Sequence, residues 1–297
     1  MNQRTAEMAY LANGSVLKAA KSVHMRQEDF RTILKGAKTF APNGDAGAKV
    51  LLFDIETSPI KGWTWDVWKQ NISPVQIIED SAILCFAAKW LHDDKVLFQK
   101  SKGHYLDDRE LIETLATLFD QADIIVAHNG KAFDISRVWS RMIFHGLPPP
   151  VPFKVIDTCL MARSILNLPH NSLQGIARYY GLGSKMEHEG FPLWFKCMDG
   201  DTDAWERMEE YNIQDVLLME EVYRKLAPYD KKHPNMALYY EDCADRCTKC
   251  GAKALVELNV TAKAAVSMYP SFRCKVCGSV CRSGSRIQIA PVMRNIL

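Results

Sequence analysis

The sequence lacks any apolar run long enough to cross a bilayer. No uninterrupted apolar stretch approaches the roughly 20 residues that a spanning helix needs. The first residues, MNQRTAEMAYLANGS, contain no apolar segment followed by a small-residue cleavage site. We therefore expect no membrane insertion, no secretion and a cytoplasmic location. Internal repeats and low-complexity tracts are also missing, and 47% hydrophobic residues in a chain of 297 exclude a disordered or fibrous protein.

The chain also has little net charge, +2 from 37 basic and 35 acidic residues. This total hides an acidic middle between basic ends: residues 1–48 carry +3, residues 49–230 carry −8 and residues 231–297 carry +7. A basic end suits a phosphate-binding appendage, because neutralising phosphates releases condensed counterions. It is equally compatible with a solvated surface, and charge alone does not decide between the two.

The first 48 residues have helical patterning and end in a linker-like stretch, TFAPNGDAGA. Within them, SVLKAAKSVHMRQEDFRTIL resembles a helix-turn-helix, although His24 stands where a turn glycine is common. The alternative is a small helical bundle that only packs on the main domain. We predict domains at 1–48, 49–232 and 233–297.

Strand and helix patterns alternate through the middle segment, which predicts a mixed sheet covered by helices. Strands are predicted at 49–54, 82–90, 95–99, 124–127 and 153–156. Helices are predicted at 107–119, 133–144, 159–166, 173–180 and 204–226.

Four acidic residues lie at the ends of predicted strands or on a predicted helix. Asp54 and Glu56 close the first strand and point to the same side, since side chains alternate along an extended chain. The residues just before Asp54 are apolar, so a carboxylate there needs a partner, and a divalent cation is one answer. Asp134 follows another apolar strand, where the first turn of a helix also favours an acid. Tyr211 and Asp215 share one helix face, either in a site or as a surface pair.

Taken in order, DIET, HNGKAFD and YNIQD resemble the three exonuclease motifs of the DEDD superfamily, the DnaQ-like 3′-5′ exonucleases. The resemblance covers about residues 49–226, roughly three-fifths of the chain. It implies a ribonuclease H-like α/β fold, a mixed five-stranded sheet with helices on both faces. It also implies four carboxylates that bind two divalent cations, and a tyrosine that orients the attacking water. These residues are Asp54, Glu56, Asp134, Asp215 and Tyr211.

The spacing of the last motif indicates the tyrosine (DEDDy) branch. The histidine branch needs histidine five residues before the last aspartate, where this chain has Glu210, whereas Tyr211 stands four residues before it. Phosphodiester hydrolysis places negative charge on the attacking and leaving oxygens, and two cations about 4 Å apart stabilise both. Mg²⁺ or Mn²⁺ prefers carboxylate oxygens, which fits this cluster. A tyrosine with an ordinary pKa near 10 is a poor base at pH 7, so Tyr211 is assigned to positioning water.

Other residues are candidates for contact with nucleic acid. Asn129 and Lys131 flank the second motif, where the alternative is a turn asparagine and a solvated lysine. Trp63 and Trp65 follow the first motif and either stack on bases or pack in the core. Arg137 lies on the helix after Asp134, on a phosphate path or on a solvated face.

Two further residues have a structural alternative. Arg141, four residues after Arg137, lies either on a phosphate path or on a solvated face of the same helix. Asp157 is expected to cap the following helix rather than to bind metal.

Nine cysteines, an odd number, include two CxxC pairs separated by 23 residues, which favours metal binding over disulfides. Each pair is followed by a glycine, and the spacer has room for two strands. This pattern resembles a zinc ribbon with one structural Zn²⁺, whereas a thioredoxin-like role would need only one pair. Cys243 and Cys281 are spare thiols. The expected ligands are Cys247, Cys250, Cys274 and Cys277.

These features together predict a metal-dependent 3′-5′ exonuclease that acts on DNA at single-stranded 3′ ends. The accessory segments resemble those of phage exonucleases, so we expect DNA rather than RNA, in a bacterial cell or a phage-infected host. A DNA polymerase or another replication or recombination protein is a possible partner. An RNA exonuclease of the same mechanism, a proofreading subunit and a nucleic-acid-binding adaptor stay open as alternatives.

Overall fold

The computed structural model describes residues 47–183, 189–264 and 266–287 of the chain. They divide into two units. Within the described residues, the first unit holds 49–183 and 189–223, and the second holds 47–48, 224–264 and 266–287. The predicted helix-turn-helix lies outside the described residues. Among the helices that are described, none is long and apolar enough to cross a membrane.

A five-stranded mixed sheet forms the centre of the first unit. The strands of this unit are β1 (Val50–Thr57), β2 (Lys61–Gly62), β3 (Ile77–Glu79), β4 (Ile83–Trp90), β5 (Val96–Lys100), β6 (Ile124–Ala127) and β7 (Lys154–Asp157). The sheet order is β5-β4-β1-β6-β7, and β2 and β3 form a separate ribbon. β4 pairs antiparallel with β1 and β5, whereas β6 runs parallel to β1 and β7. The predicted mixed five-stranded sheet is confirmed.

Helices cover both faces of this sheet. They are α1 (Arg109–Gln121), α2 (Asp134–Phe144), α3 (Thr158–Ile165), α4 (Leu173–Tyr180), α5 (Phe191–Met198) and α6 (Thr202–Leu226). Residues of α1 and α2 share a buried cluster with Phe53 and Ile55 of β1. Residues of α5 and α6 share another with Cys85 of β4. The side chains of β1 alternate, so Leu51, Phe53 and Ile55 face α1 and α2. Asp54 and Glu56 point to the opposite face, which α6 covers.

The helix α5 was absent from the sequence prediction. Its sequence, FPLWFKCM, is apolar almost throughout and has no clear helical period. Pro192 near its start is compatible with the first turn, where the missing N–H is not needed.

A buried ion pair joins β4 to α6. Lys89 Nζ lies 2.6 Å from Glu220 Oε2, and both side chains are almost fully excluded from solvent. Substituting only one of the two residues would strongly reduce the stability of the fold, because the other charge would stay buried without a partner.

A second buried ion pair holds α2 beside α1. The Asp108 carboxylate, fully buried, accepts hydrogen bonds from Arg141 Nε (2.6 Å) and Nη2 (2.7 Å), and its Oδ1 lies 2.6 Å from His145 Nε2. The N–H of Ile83 donates to it as well. Burial raises the pKa of Asp108, but the hydrogen bonds from Arg141, His145 and Ile83 outweigh it and leave the pKa below its usual value. Arg141 therefore has a structural role, and both of its predicted interpretations, a phosphate path and a solvated helix face, are wrong.

The segment between β1 and β4 exposes a group of large apolar side chains. Trp63 is 74% exposed and Trp65 is 99% exposed, and Trp68 and Val75 are also open to solvent. Core packing is therefore the wrong interpretation of these tryptophans. We call residues 60–78 the tryptophan arm.

The second unit contains a three-stranded antiparallel sheet of order β10-β9-β8, built from β8 (Leu255–Ala264), β9 (Ser267–Cys274) and β10 (Val280–Arg282). The first two strands occupy the spacer between the CxxC pairs, as the sequence predicted.

We expect the substitution Asp108→Asn to lower the free energy of unfolding by about 3–5 kcal/mol, because it leaves the Arg141 guanidinium buried without its carboxylate. The measurement is urea unfolding at pH 7. Since the folded-state pKa of Asp108 is held below 3.8, this stability is fully present above pH 3.8 and is lost as the pH falls through the lower folded-state value.

The matched control is Asp107→Asn, which changes the exposed neighbouring aspartate and should alter the unfolding free energy by less than about 0.5 kcal/mol. Equal losses in the two variants would contradict the role given to Asp108.

Candidate active site and cysteine cluster

The first part of the site is the end of β1. Asp54 and Glu56 are partly exposed and lie opposite Ala87 and Cys85 of β4. The regular pairing of β1 with β4 shifts directly after Glu56. Such an irregularity interrupts the regular hydrogen bonding between strands and changes the direction of the chain. It is common beside active sites.

Asp134 reaches β1 from the turn after β6. Its Oδ1 accepts a hydrogen bond from the N–H of Ile55, the residue between the two carboxylates of β1 (3.3 Å). Burial raises the pKa of Asp134 to about 6, and the negative charge of Asp157 adds to this while the Ile55 N–H opposes it. A buried carboxylate with a raised pKa is typical of a group that awaits a positive partner.

The turn between β6 and α2, residues 128–133, leads directly into Asp134 and is called the Asp134 turn. It is held by another carboxylate. Asp157, at the end of β7, accepts hydrogen bonds from the N–H groups of Asn129 (3.0 Å) and Lys131 (3.2 Å) in this turn. It also accepts from Cys159 and Leu160 at the start of α3, so the predicted helix cap is confirmed.

Within the turn, Asn129 has a left-handed backbone with φ of 61°. A side chain at Gly130 would place its Cβ 2.2 Å from the Cβ of Ala127, so only glycine fits there.

The third part of the site is one face of α6. Tyr211 is buried, and its hydroxyl hydrogen-bonds to Asp215 one turn further on. Burial raises the pKa of Tyr211 well above 10, and the negative charges of Glu56, Asp215 and Asp54 raise it further. The phenol therefore stays protonated near neutral pH. The charges of all three carboxylates act on the Tyr211 hydroxyl, so this hydroxyl lies near each of them.

Asn212 ties α6 to β1, and sequence reasoning missed it. Its side chain is fully buried, and Nδ2 donates to Asp54 Oδ2 at 2.7 Å. Its place beside Tyr211 in the third motif was the available signal. This bond holds the Asp54 carboxylate in one orientation.

The structure thus brings together all five residues of the three motifs. Ile55 connects Asp134 to β1, Asn212 connects α6 to β1, and Tyr211 lies among the remaining acids.

Part of the chain matches the model of a known protein family. Residues 78–227 match the model of the RNase_H superfamily. The chain belongs to that superfamily. The match contains Asp134, Tyr211 and Asp215 but begins after Asp54 and Glu56, and the predicted tyrosine branch and phage type remain predictions.

Other comparisons are more distant. No curated protein matches the chain. Among solved structures, it is similar to a family B DNA polymerase from the hyperthermophilic archaeon Pyrobaculum calidifontis, with 18% identity and a TM-score of 0.48. The similarity covers 69% of this chain and 26% of the polymerase chain, so the chain spans about a quarter of the polymerase's length.

RNase_H superfamily nucleases use divalent metal ions, and the donor set of this domain fits them. All four acids are hard oxygen donors, which suit Mg²⁺ or Mn²⁺. They are not packed as one tight cage: among the described residues, the group of three or more ligand atoms within 4.8 Å of one another consists of cysteines. Mg²⁺ usually takes only one or two protein carboxylates and completes its shell with water and substrate phosphate, so spread donors are compatible with it.

The residues predicted to contact nucleic acid are all exposed to solvent. Asn129 and Lys131 have exposed side chains on the Asp134 turn. Arg137 is exposed on α2, with its guanidinium 5.7 Å from the Phe133 ring centre. In the described part of the chain, no hydrogen bond or ion pair connects the side chains of Arg137, Trp63 or Trp65 to the motif carboxylates.

The second unit carries four sulfur atoms that lie within 4.8 Å of one another. Gly251 and Gly278 follow the two pairs with positive φ of 74° and 77°, and each N–H donates to the carbonyl four residues earlier. The N–H of Lys249 donates to Cys247 Sγ at 3.4 Å. Hydrogen bonding from Cys250 lowers the pKa of the Cys247 thiol. Four close thiols on two such turns fit a structural Zn²⁺, and they are Cys247, Cys250, Cys274 and Cys277.

We expect the purified chain to contain one zinc ion and the substitution Cys250→Ser to release it, because thiolate ligands supply most of the binding energy of such sites. Metal content is measured by mass spectrometry after gel filtration.

Cys243→Ser is the matched control, since Cys243 is exposed and outside the cluster. Zinc retained in Cys250→Ser, or lost in Cys243→Ser, would argue against this ligand set.

Proposed function

We propose that this chain is a metal-dependent 3′-5′ exonuclease of the tyrosine branch that hydrolyses DNA from single-stranded 3′ ends, with the first unit as its catalytic part. The observation that carries the proposal is the convergence of three motifs at the end of β1. Asp134 accepts from the N–H of Ile55, and Asn212 donates to Asp54 across 158 residues of sequence.

In this proposal, Asp54, Glu56, Asp134 and Asp215 hold two Mg²⁺ or Mn²⁺ ions. When bound, the ions stabilise charge on the attacking and leaving oxygens and lower the pKa of water. The raised pKa of Asp134 supports a ligand role, since a nearby cation would favour the ionised form that burial disfavours.

Tyr211 positions the attacking water in this mechanism. Its raised pKa keeps the proton on the phenol, so it donates or accepts hydrogen bonds but does not act as a general base. Its own hydrogen bond to Asp215 fixes the direction of the hydroxyl relative to the carboxylates.

The contacts to the strand are proposed to be Asn129 and Lys131 on the Asp134 turn, Arg137 on α2, and Trp63 and Trp65 on the tryptophan arm. Indole rings with so little cover from the protein are suited to stacking on unpaired bases. Large exposed apolar groups are also unfavourable in water, which supports a binding role for the arm.

We expect wild-type protein with Mg²⁺ or Mn²⁺ to shorten 5′-labelled single-stranded DNA from its 3′ end. Asp54→Ala should reduce the rate to the level seen without metal, and Tyr211→Phe should reduce it roughly 10²-fold, as for loss of one transition-state hydrogen bond. The readout is a denaturing gel with single-stranded DNA, duplex DNA and RNA of the same sequence.

Arg178→Ala, a change on α4 outside all three motifs, is the control and should retain activity. Internal cuts, shortening from the 5′ end or full activity in Asp54→Ala would contradict the proposed function, and a preference for RNA would replace DNA as the substrate.

For the tryptophan arm, we expect Trp65→Ala to weaken binding of single-stranded DNA by about 1–3 kcal/mol, the usual contribution of one stacked base. Binding is measured by fluorescence anisotropy in the Asp54→Ala background, which prevents degradation. Trp65→Phe should retain most of the affinity.

Val75→Ala removes another exposed apolar side chain of the same arm without removing a ring. If it weakens binding as much as Trp65→Ala does, base stacking is not the cause.

A further inference from the structure

A cleft of about 1000 Å³ lies within the second unit. It is lined by the turn after α6, by Thr248 and Lys249 between the first two zinc-pattern cysteines, by Arg273 and by residues 277–284. This volume is at the upper end of the range for small-molecule sites, about 300–1,000 Å³, so it can accept a few nucleotides of a single strand. We call it the basic cleft.

The side chains that line the basic cleft have an uneven charge. Of the described lining residues, four are cationic and Asp230 alone is acidic. The cationic residues are Lys231, Lys249, Arg273 and Arg282. Lys249 donates to the main-chain carbonyl of Asp230, and none of the four forms a salt bridge with a carboxylate of the described residues.

The two arginines are held in place by groups that leave their charge uncompensated. Arg273 Nη1 donates to the carbonyl of Gly278 at 2.9 Å. Arg282 lies 3.9 Å from the centre of the Tyr269 ring and donates to the carbonyl of Ser283. A guanidinium has five N–H donors, so most remain available for phosphate oxygens, and a fixed side chain loses less entropy on binding.

An aromatic ring stands beside these cations. Tyr229 lines the same cleft and is 72% exposed. Cations that follow a backbone together with a ring that accepts a base are the usual composition of single-strand sites.

We propose that the basic cleft binds a single-stranded stretch of nucleic acid, with its phosphates on Lys231, Arg273 and Arg282 and a base on Tyr229. The class of ligand rests on the proposed function, whereas the site itself rests on the cleft. It is a second binding site, built from residues of the second unit and separate in its residues from the carboxylates of the first.

The test uses full-length, zinc-loaded protein in the Asp54→Ala background without added Mg²⁺. A fluorescein-labelled oligothymidylate is titrated at several salt concentrations, and the slope of log K against log[salt] is measured. For single strands, each phosphate contact contributes about 0.7 to the slope, so the pair Lys231→Ala and Arg282→Ala should lower its magnitude by about 1.4.

The matched control is the pair Lys263→Ala and Arg286→Ala. It also removes one lysine and one arginine charge, but from exposed positions of the second unit that do not line the cleft. The slope should then be unchanged. Equal changes in both pairs, or no change in either, would overturn the proposal.

Two further measurements identify the ligand and guard against misfolding. Tyr229→Phe should retain affinity that Tyr229→Ala loses, and Arg282→Lys should retain more of the slope than Arg282→Ala. Polyglutamate that competes as well as the oligonucleotide, or duplex that binds as tightly as the single strand, would overturn the assignment to single strands.

The outcome is distinct from that of the proposed function. If wild-type protein degrades DNA but the cleft substitutions do not change the salt slope, only the proposed binding site is rejected. If the cleft substitutions change the slope but wild-type protein degrades no DNA, only the proposed exonuclease activity is rejected.

Discussion

The parallel pairing of β1 with β6 is the constraint on which the catalytic unit depends. It sets Val50 beside Ile124 and Leu52 beside Val126, so both strands deliver their following residues to the same edge of the sheet. The end of β1 supplies two carboxylates there, and the turn after β6 supplies Asp134. Without this pairing, the Ile55 N–H would have no access to the Asp134 carboxylate. The helix α6 then covers the face of β1 that carries Asp54 and Glu56.

Most of the catalytic unit was predictable because its signals are local. Each central strand is a short apolar run, and the strand predicted at 124–127 has the observed bounds. The helix predicted at 173–180 also matches, since Ser172 caps its start and Gly181 ends it in a left-handed conformation. The motif residues were recognisable because their spacing along the chain is specific, and the fold then brings them near one another.

What the sequence did not reveal depends on contacts between distant segments. Asn212 is one polar residue among many in α6, and its importance comes from a partner 158 positions earlier. Arg141 has the spacing of a solvated helix residue, yet Asp108 takes it into a buried pair. The tryptophan arm was ambiguous for the opposite reason: tryptophan is usually well buried, and no local pattern signals that these rings have no cover.

The ion pair between Lys89 and Glu220 has a consequence for rotation. A helix turns by about 100° per residue, so a slip of α6 by one position would carry Tyr211 and Asp215 away from the sheet. An apolar interface alone tolerates such a slip poorly but does not forbid it, since neighbouring large side chains can exchange places. Such a slip would also move Glu220 away from Lys89 and leave two buried charges without their partner, which is strongly unfavourable. The pair therefore favours the rotation of α6 in which Tyr211 and Asp215 face the sheet, although neither Lys89 nor Glu220 belongs to the site.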